Sequence, residues 1–542
     1  MKAAVRTRVA GARRRALIEA DLRAFRRRHG AILKTEPPPG GPVALVVSLS
    51  NFVYQLKLEG MFAKALELRG LSPVFLVPEG SVIARRAFET FGFDRFVELP
   101  SAVDDEVEEE VRRASAELLS RDHTVSSLRE LVFHDAAIGI QVISTISRAL
   151  HEGTVDLRGA RERELLRRVV PEAVRSTLAA ERLLERLEPA AMLFNERNYS
   201  VYAPLSDVAL AQGVNVVQFV SGFQDDAFVF KRYTTDTRRQ HPRSLSDESW
   251  ERVKAMPWTP ERDAELDEEF RLRYSNAWSI SRRQQGWTRH VPPVEVLRRL
   301  GLDPAKKTAV LFSHVLWDAN MFYGEDLFED QERWFVESLR AACANDRVNW
   351  IVKLHPASLW KLRRDGADAA PGEESTIAEE VGALPPHVAL LEPGSDISAW
   401  SVFQVADYGL TIRGSVGIEL PCLGKPVVTA GTGYYAGRGF TVDPRSPQAY
   451  VELLRSIETL PPLTGEQVEL ARRHAYALFR LRPTRFTSFR SSFRGLEGVA
   501  HPLDPNLDLT VTSRAELEAA DDLRALSEWI VDSRDPDFLT MP

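Results

Sequence analysis

Short apolar runs and helical segments alternate along the first hundred residues. Runs typical of buried strands occupy 43–50, 73–77 and 95–99, and helical patterns occupy 53–69 and 81–91. Such alternation is typical of a parallel sheet with helices on both faces. The pattern therefore predicts a βαβαβ start to a first domain.

The same pattern returns further along the chain. After a helix-rich stretch at about 104–187, which has no clear strand, apolar runs resume at 190–194 and 215–220. A second series follows, with strands predicted at 308–312, 350–354, 388–391, 408–412 and 426–428. The chain as a whole is predicted to be an α/β protein with two parallel-sheet domains.

Composition and linkers divide the chain into four predicted parts. Residues 1–36 form a basic amphipathic helix and a stiff Pro/Gly linker, and 37–285 form a first domain that contains the helical insertion. Residues 286–482 form a second domain. Residues 483–542 form a helical tail that packs back on the first domain or extends freely from it.

The predicted N-terminal helix is strongly basic and has an apolar stripe. Its arginines include 13–15 and 26–28. The stripe consists of Leu17, Ile18, Leu22, Phe25, Ile32 and Leu33. A helix of this kind can lie on anionic lipid, which would give peripheral contact with the inner membrane. The alternative is a solvated helix that packs on its own protein.

Charge and cysteine content add few constraints. The chain of 542 residues has a formal net charge of −7, and we predict no nucleic-acid partner. The two cysteines, Cys343 and Cys422, lack metal-ligand spacing and are too few for a disulfide framework, so a reducing cytoplasmic setting is expected. No apolar run approaches the roughly 18 residues of a membrane span.

The stretch 405–428 carries the strongest candidate chemistry. It is predicted to run from strand through a tight turn to a helix that starts at Gly414 and Ser415 and also contains Val416, Gly417 and Glu419. The start of a helix just beyond a parallel strand is a place where phosphate binds, and Arg413 could add a cation. Glu419, one turn along, could accept hydrogen bonds from ribose. The alternative is an ordinary βαβ unit that binds nothing.

A second candidate is His355-Pro356, directly after a predicted strand. Proline restricts the residue before it, so this histidine is oriented and could bind a phosphate or protonate a leaving group. Lys353 points to the same side, and His314 follows the neighbouring strand 308–312. Most histidines in such positions are only satisfied loop residues, but two phosphate-type loops in one domain favour a site.

These residues resemble the capsule polysaccharide biosynthesis proteins. The run 414–427, with Lys353-Leu-His-Pro356 upstream, is similar to glycosyltransferases of the GT-B fold that include the Kdo transferases of capsule export. The stretch 195–199, followed by a helix and 213–217, is similar to a part of their first domain. The resemblance covers roughly 190–440 and is specific in the second domain only. It implies two Rossmann-type domains that face each other across a cleft, an acceptor domain and a nucleotide-sugar domain.

The resemblance also bears on the donor. Many retaining GT-B transferases have two glutamates eight residues apart, and here Glu419 fits the second while Thr411 replaces the first. This difference counts against a UDP- or GDP-hexose donor. GT-B sialyltransferases and Kdo transferases instead place a His-Pro motif and a serine on the phosphate of a CMP-sugar, and His355-Pro356 and Ser415 are similar to that pair.

In those families the general base or an assisting acid comes from the first domain. The resemblance therefore implies Glu196, Asp225 and Asp226 as candidates, with Asn195 beside them as a binding residue. None of the three acids is identifiable by spacing, and carboxylates in such positions are more often solvated loop residues. No Asp-x-Asp signal calls for a catalytic metal, and no cofactor is expected besides the nucleotide-sugar co-substrate.

The sequence thus predicts a glycosyltransferase that uses a nucleotide-activated sugar, expected to be a CMP-linked acidic sugar such as Kdo or a nonulosonic acid. Its acceptor would be a surface polysaccharide, glycolipid or glycoconjugate. Two alternatives remain open at this point. One is a non-hydrolysing nucleotide-sugar epimerase, and the other is a non-catalytic GT-B scaffold of a polysaccharide assembly or export complex.

Overall fold

The computed structural model describes residues 2–35, 40–318, 321–358, 361, 372–493 and 503–541. The strands are β1 (Val43–Val47), β2 (Ser72–Leu76), β3 (Phe96–Val97), β4 (Ala191–Phe194), β5 (Asn215–Ser221), β6 (Ala227–Tyr233), β7 (Thr308–Phe312), β8 (Asn349–Lys353), β9 (Val388–Leu391), β10 (Tyr408–Thr411), β11 (Val427–Thr429), β12 (Thr484–Arg485), β13 (Phe489–Ser492) and β14 (Asn506–Leu509).

The helices of the first half are α1 (Lys2–Leu33), α2 (Val53–Leu68), α3 (Val82–Glu89), α4 (Asp105–Ser120), α5 (Val125–Arg129), α6 (Ile138–Leu150), α7 (Ala160–Leu187), α8 (Tyr202–Ala211), α9 (Asp247–Ala255) and α10 (Pro260–Tyr274). Those of the second half are α11 (Ser279–Gln285), α12 (Pro293–Leu300), α13 (Gln331–Ala344), α14 (Gly372–Glu380), α15 (Ala399–Val405), α16 (Val416–Glu419), α17 (Pro447–Leu454), α18 (Gly465–Tyr476), α19 (Arg514–Glu518) and α20 (Asp521–Asp532).

The first sheet has the order β12-β6-β5-β4-β1-β2-β3, and β1 to β5 run parallel. The chain moves outward from β1 through β2 to β3, and then returns to the other side of β1 for β4. Because the direction of winding reverses there, the loops after β1 and β4 flank a crevice of the kind that binds ligands. β6, which the sequence analysis missed, pairs antiparallel with β5.

The second sheet has the order β11-β10-β7-β8-β9 and is parallel throughout. Its winding reverses between β7 and β10, because β8 and β9 lie on one side of β7 and β11 lies on the far side of β10. The structure thus confirms an α/β protein of the GT-B-like class with two Rossmann-type sheets, of which the second is parallel throughout and the first is parallel from β1 to β5. The segments predicted to carry chemistry, those after β7, β8 and β10, are neighbours at the reversal.

The stretch at about 104–187 folds as the four helices α4 to α7, which share a core of their own. Asp104 caps α4 by accepting a hydrogen bond from the Val107 N–H. This insertion also contacts the second half of the chain. The Thr154 N–H donates to Glu332 Oε2 over 2.8 Å, and Met321 joins the core of the insertion.

The N-terminal helix packs on its own protein. Ile18, Leu22, Phe25 and Leu33 are buried in the core of the first domain. Because these four residues of the apolar stripe are covered, they are not free to enter lipid, and the structure gives no support to membrane contact through them. None of the described helices is long and apolar enough to cross a membrane.

The tail also packs on the first domain and is not purely helical. β12 extends the first sheet beside β6, β13 and β14 form a two-stranded ribbon, and α20 packs against α2. Asp537 near the end of the chain is buried between Lys231 and Arg482, at 2.9 Å and 2.7 Å. The sequence left open whether the tail packs on the first domain or extends freely from it. The structure shows that it packs on the first domain.

Candidate active site

A cavity of about 560 Å³ is lined by loops that follow strands of both sheets. The second sheet contributes most of the residues singled out from the sequence, namely His314, Lys353, His355, Pro356, Arg413, Gly414, Ser415, Val416 and Glu419. They meet because β7, β8 and β10 are adjacent and parallel, so their carboxyl ends share one edge. Asn198, Val220 and Phe223 line the cavity from the first sheet.

Thr411 connects the ends of β7 and β10. Its Oγ1 accepts a hydrogen bond from the Gly414 N–H over 3.0 Å and lies 3.1 Å from His314 Nε2. The same Nε2 accepts from the Arg413 N–H at 3.4 Å, which places the imidazole proton on Nδ1. Burial, Arg413 and His355 hold the pKa of His314 well below its ordinary value. Thr411 thus occupies one amide of the predicted phosphate turn, that of Gly414, and the imidazole of His314.

His355 is held in one orientation by backbone contacts. Its N–H donates to Ser313 Oγ over 3.0 Å, and its Nδ1 accepts from the Ala357 N–H over 3.1 Å. The proton of the neutral ring is therefore on Nε2. Burial, Lys361 and Lys353 lower the pKa of His355 to about 3. In the unliganded protein this histidine is a neutral N–H donor and not an acid.

Lys353 is the last residue of β8, two residues before His355, and lines the cavity. Burial lowers the pKa of Lys353 to about 8. It forms no ion pair with any residue that the structure describes. A partly buried ammonium without a counterion costs free energy, and an anionic ligand would remove this cost.

Arg413 has a different partner from the predicted phosphate. Its Nη2 lies 2.5 Å from Asp326 Oδ2, and its Nη1 donates to the Tyr323 carbonyl over 2.5 Å. Both groups are buried, so the guanidinium charge is already compensated. Arg413 therefore fixes the loop before α13, and the sequence could not show this because Asp326 lies in a segment without periodicity.

Glu419 is buried and paired with Arg273, whose Nε lies 2.8 Å from Oε1. Arg273 Nη2 also donates to Ser415 Oγ over 3.1 Å. Tyr274 lies beside Glu419, and burial together with this carboxylate holds the pKa of the phenol well above its ordinary value. Tyr274 stacks on Trp400 with ring centroids 4.8 Å apart. The sequence analysis missed Arg273 and Tyr274, because α10 has only the pattern of a charged helix.

Asp318 is a carboxylate at the cavity that the sequence analysis did not identify. Its Oδ1 lies 3.2 Å from Arg148 Nη1 and accepts from the Tyr199 hydroxyl over 3.4 Å, while Lys361 contacts Oδ2. Asp318 and His355 both line the cavity, and the Asp318 charge acts to raise the pKa of His355, against the larger lowering by burial. The available signal was its position shortly after β7.

The first-domain candidates lie elsewhere. Glu196 is not among the residues that line the cavity; its Oε1 accepts from the N–H groups of Arg197 and Asn198 at 2.8 and 3.0 Å, and burial raises its pKa. Asn195 donates to the Phe219 carbonyl over 3.3 Å. Both side chains stabilise the loop after β4.

Asp225 and Asp226 hold structure together. Asp225 accepts from the N–H and hydroxyl of Ser279 at 3.0 and 2.9 Å, and Asp226 accepts from the Ser491 N–H over 2.6 Å. Neither lines the cavity. The structure gives no support to Asp226 as the first-domain base, because the β5–β6 turn is tied to the tail, a contact with no local signal.

Gly417 serves packing. A Cβ at this position would lie 2.1 Å from the Tyr435 hydroxyl oxygen, which itself donates to the Gly414 carbonyl over 2.7 Å. Gly417 is not among the residues that line the cavity. The close approach expected from its glycine is made by a tyrosine of the same chain and not by a ligand.

No protein-family profile matches this chain, and no curated protein sequence matches it either. Among solved structures it is similar to Thermosulfurimonas dismutans KpsC, beta Kdo 2,4 transferase, at 15% identity over 61% of this chain and 87% of that one, with a TM-score of 0.34. It is also similar to the beta Kdo 2,7 transferase of the same organism, at 18% identity over 57% and 82%, with a TM-score of 0.32.

A third similar structure is the UDP-GlcNAc 2-epimerase of Neisseria meningitidis bound to UDP-GlcNAc, at 11% identity over 81% of this chain and 96% of that one, with a TM-score of 0.27. The resemblance to Kdo transferases that the sequence suggested thus recurs among solved structures. Likeness at this level carries no residue roles across, so the roles proposed below rest on the cavity itself.

Proposed function

We propose that this protein is a glycosyltransferase that moves a sugar from a nucleotide-activated donor to a surface polysaccharide, glycolipid or glycoconjugate acceptor. The donor is a CMP-linked acidic sugar such as Kdo or a nonulosonic acid. The observation that carries the proposal is the meeting of Lys353, His355 and the 413–416 turn in one cavity where the second sheet reverses its winding. Parallel α/β sheets bind nucleotides at such places.

The donor lies along the second domain. Lys353 and the Nε2–H of His355 bind the phosphate, and His355 stabilises the negative charge that grows as the glycosidic bond breaks. Glu419, fixed by Arg273, accepts hydrogen bonds from the ribose hydroxyls. The nucleobase of the donor then reaches Trp400, whose ring is held by stacking on Tyr274.

Asp318 deprotonates the acceptor hydroxyl. It and Glu419 are the carboxylates among the residues that line the cavity, and Glu419 is assigned to the ribose hydroxyls. A general base must come within hydrogen-bond reach of the acceptor, and Asp318 lines the same cavity as His355, which is assigned to the leaving phosphate. It takes the role that the sequence had assigned to Glu196 or Asp226.

A thermal-shift panel of CMP, CDP, UDP and GDP tests nucleotide binding, and we expect the cytidine nucleotides to raise the unfolding midpoint most. Donor consumption with and without glycan acceptor tests the reaction. A transferase requires the acceptor for turnover beyond slow hydrolysis, whereas an epimerase converts the nucleotide-sugar alone. A protein that no nucleotide stabilises would be the scaffold considered above, and the proposal would be wrong.

A further inference from the structure

The charges around the cavity do not balance. Its two lining carboxylates are already paired, Asp318 with Arg148 and Lys361, and Glu419 with Arg273. Arg413 is neutralised by Asp326. Two further lining cations, Lys353 and Arg243, have no carboxylate partner in the part of the chain that the structure describes. The imidazoles of His314 and His355 are neutral and add no charge.

Arg243 lies in the segment that leaves β6 and contacts the loop after β5. Its Nη2 donates to the Ser221 carbonyl over 2.8 Å, and its guanidinium carbon lies 5.0 Å from the centroid of Phe223. Its Nε is buried and has no acceptor among the described residues. Burial lowers the pKa of Arg243, and the nearby Arg273 and Arg482 act in the same direction.

Such an environment disfavours a charge that has no partner. A guanidinium stays protonated even when its pKa is lowered, so it cannot escape the cost by losing a proton. Arg243 is partly buried, and losing part of its hydration without a counterion costs free energy. The cost is recovered when a ligand brings an anionic group to this position.

Lys353 and Arg243 approach the cavity from different sides. Lys353 ends β8 of the second sheet, whereas Arg243 donates to Ser221, which ends β5 of the first sheet. We infer that the donor carries a second anionic group besides the phosphate at Lys353 and His355, and that Arg243 binds this group. The inference rests on the proposed function, because it assumes that a nucleotide phosphate occupies the second-domain side.

The planar fork of Arg243 suits either a carboxylate or a further phosphate. The first would be the carboxylate of an acidic sugar, and the second would be the β-phosphate of a nucleoside diphosphate. Both present two oxygens to one guanidinium, so the shared chemistry is a bidentate oxyanion. Arg243 then decides which nucleotide-sugars are accepted, and it links the first domain to donor binding.

Calorimetric titration of CMP, CDP and CMP-N-acetylneuraminic acid into the intact protein tests the inference. We expect CDP or the acidic sugar nucleotide to bind about tenfold more tightly than CMP, the gain of one charge-assisted hydrogen-bonded pair. Arg243→Gln should abolish this ratio while changing the affinity for CMP less than about twofold. Arg243→Lys should keep part of the affinity ratio between CDP or the acidic sugar nucleotide and CMP. Arg238→Gln, at a residue outside the cavity, should keep the whole ratio.

The arms separate the possible outcomes. A gain with CDP alone identifies a second phosphate, and a gain with the acidic sugar alone identifies a carboxylate. Wild-type protein that binds CMP but gains nothing from either group overturns the second-anion inference and leaves the proposed function intact. The same holds if Arg243→Gln, with an unchanged unfolding midpoint, keeps the wild-type ratio. Absence of binding to every nucleotide overturns both proposals.

Discussion

Arg273 Nε lies 2.8 Å from Glu419 Oε1, and this ion pair joins the crossover helix α10 to the turn after β10. The side chain of Glu419 is 4% exposed and that of Arg273 is 16% exposed. Since Arg273 also donates to Ser415, one arginine orients both polar groups of the turn. The geometry of the candidate nucleotide site therefore depends on a helix outside the second sheet.

Replacing Arg273 by glutamine should destabilise the protein, because it leaves the Glu419 carboxylate buried without a counterion. We expect the free energy of unfolding to fall by about 3 kcal/mol, as is typical when one partner of a buried pair is removed. Urea unfolding of wild type and Arg273→Gln measures this difference in the free energy of unfolding.

The double variant Arg273→Gln/Glu419→Gln should recover part of the loss, because no charge remains buried. Arg271→Gln is the matched control, since Arg271 pairs with Glu268 at the solvent-exposed side of the same helix. Equal losses for Arg273→Gln and Arg271→Gln would show that the Arg273–Glu419 pair has no special role.

Lys353 should make nucleotide affinity depend on pH. Its pKa of about 8 in the free protein means that the ammonium binds phosphate below this pH and is lost as pH rises through it. We expect the affinity for CMP to fall by about tenfold between about pH 7.5 and about pH 9.5. In Lys353→Gln the affinity should be lower at neutral pH and nearly constant over this range; a parallel fall in the variant would assign the effect to another group.

Glu59 should make stability depend on pH. Burial raises its pKa to about 8, and the side chain contacts the Ser48 hydroxyl and the Gln55 amide. Between its ordinary pKa and about 8 the folded state binds more protons than the unfolded state, so stability falls as pH rises. Glu59→Gln removes this pH-dependent loss of stability. The free energy of unfolding of the variant, relative to wild type, should therefore rise by up to about 1.4 kcal/mol per pH unit in this window.

Thermal unfolding at about pH 5 and about pH 8 checks this expectation. The unfolding midpoint of Glu59→Gln should exceed that of wild type slightly at the lower pH and by more at the higher pH. Glu268→Gln, on the exposed face of α10, serves as the control because its carboxyl is solvated. An advantage that does not change with pH would contradict the assignment.

The N-terminal helix should be needed for stability. Phe25 is fully buried in the core of the first domain and packs against Phe91 with centroids 5.8 Å apart. Phe25→Ala should cost about 3–5 kcal/mol, the usual range for a buried aromatic. Arg26→Ala, on the exposed side of the helix, should cost much less. A truncation before residue 35 that unfolded with an unchanged midpoint would contradict this account.

The sequence predicted those parts of the fold that local pattern encodes. The central strands, the helical insertion and the chemistry at the ends of β7, β8 and β10 follow from apolar runs and the turns that end them. Because neighbouring parallel strands bring their carboxyl ends together, His314, His355 and Ser415 could be assigned to one cavity before any coordinates were known.

The remaining features depend on contacts between distant parts of the chain. β6 was missed because Lys231 and Arg232 interrupt its apolar run, and both charges are satisfied by groups near the end of the chain. Arg273 lies on a charged helix, and nothing local shows that it reaches Glu419. Polar residues whose partners lie hundreds of positions away carry no periodic signal.

The central claim is that His355 stabilises the leaving phosphate while Glu419 only holds the donor. The most direct test is the acceptor-dependent release of CMP from a CMP-linked acidic sugar by wild type, His355→Ala and Glu419→Gln. We expect His355→Ala to lower kcat by about 100-fold with an unchanged unfolding midpoint, and Glu419→Gln to raise the donor KM with kcat nearly retained. A folded His355→Ala variant with near-normal kcat would show that the histidine is structural and that the mechanism is wrong.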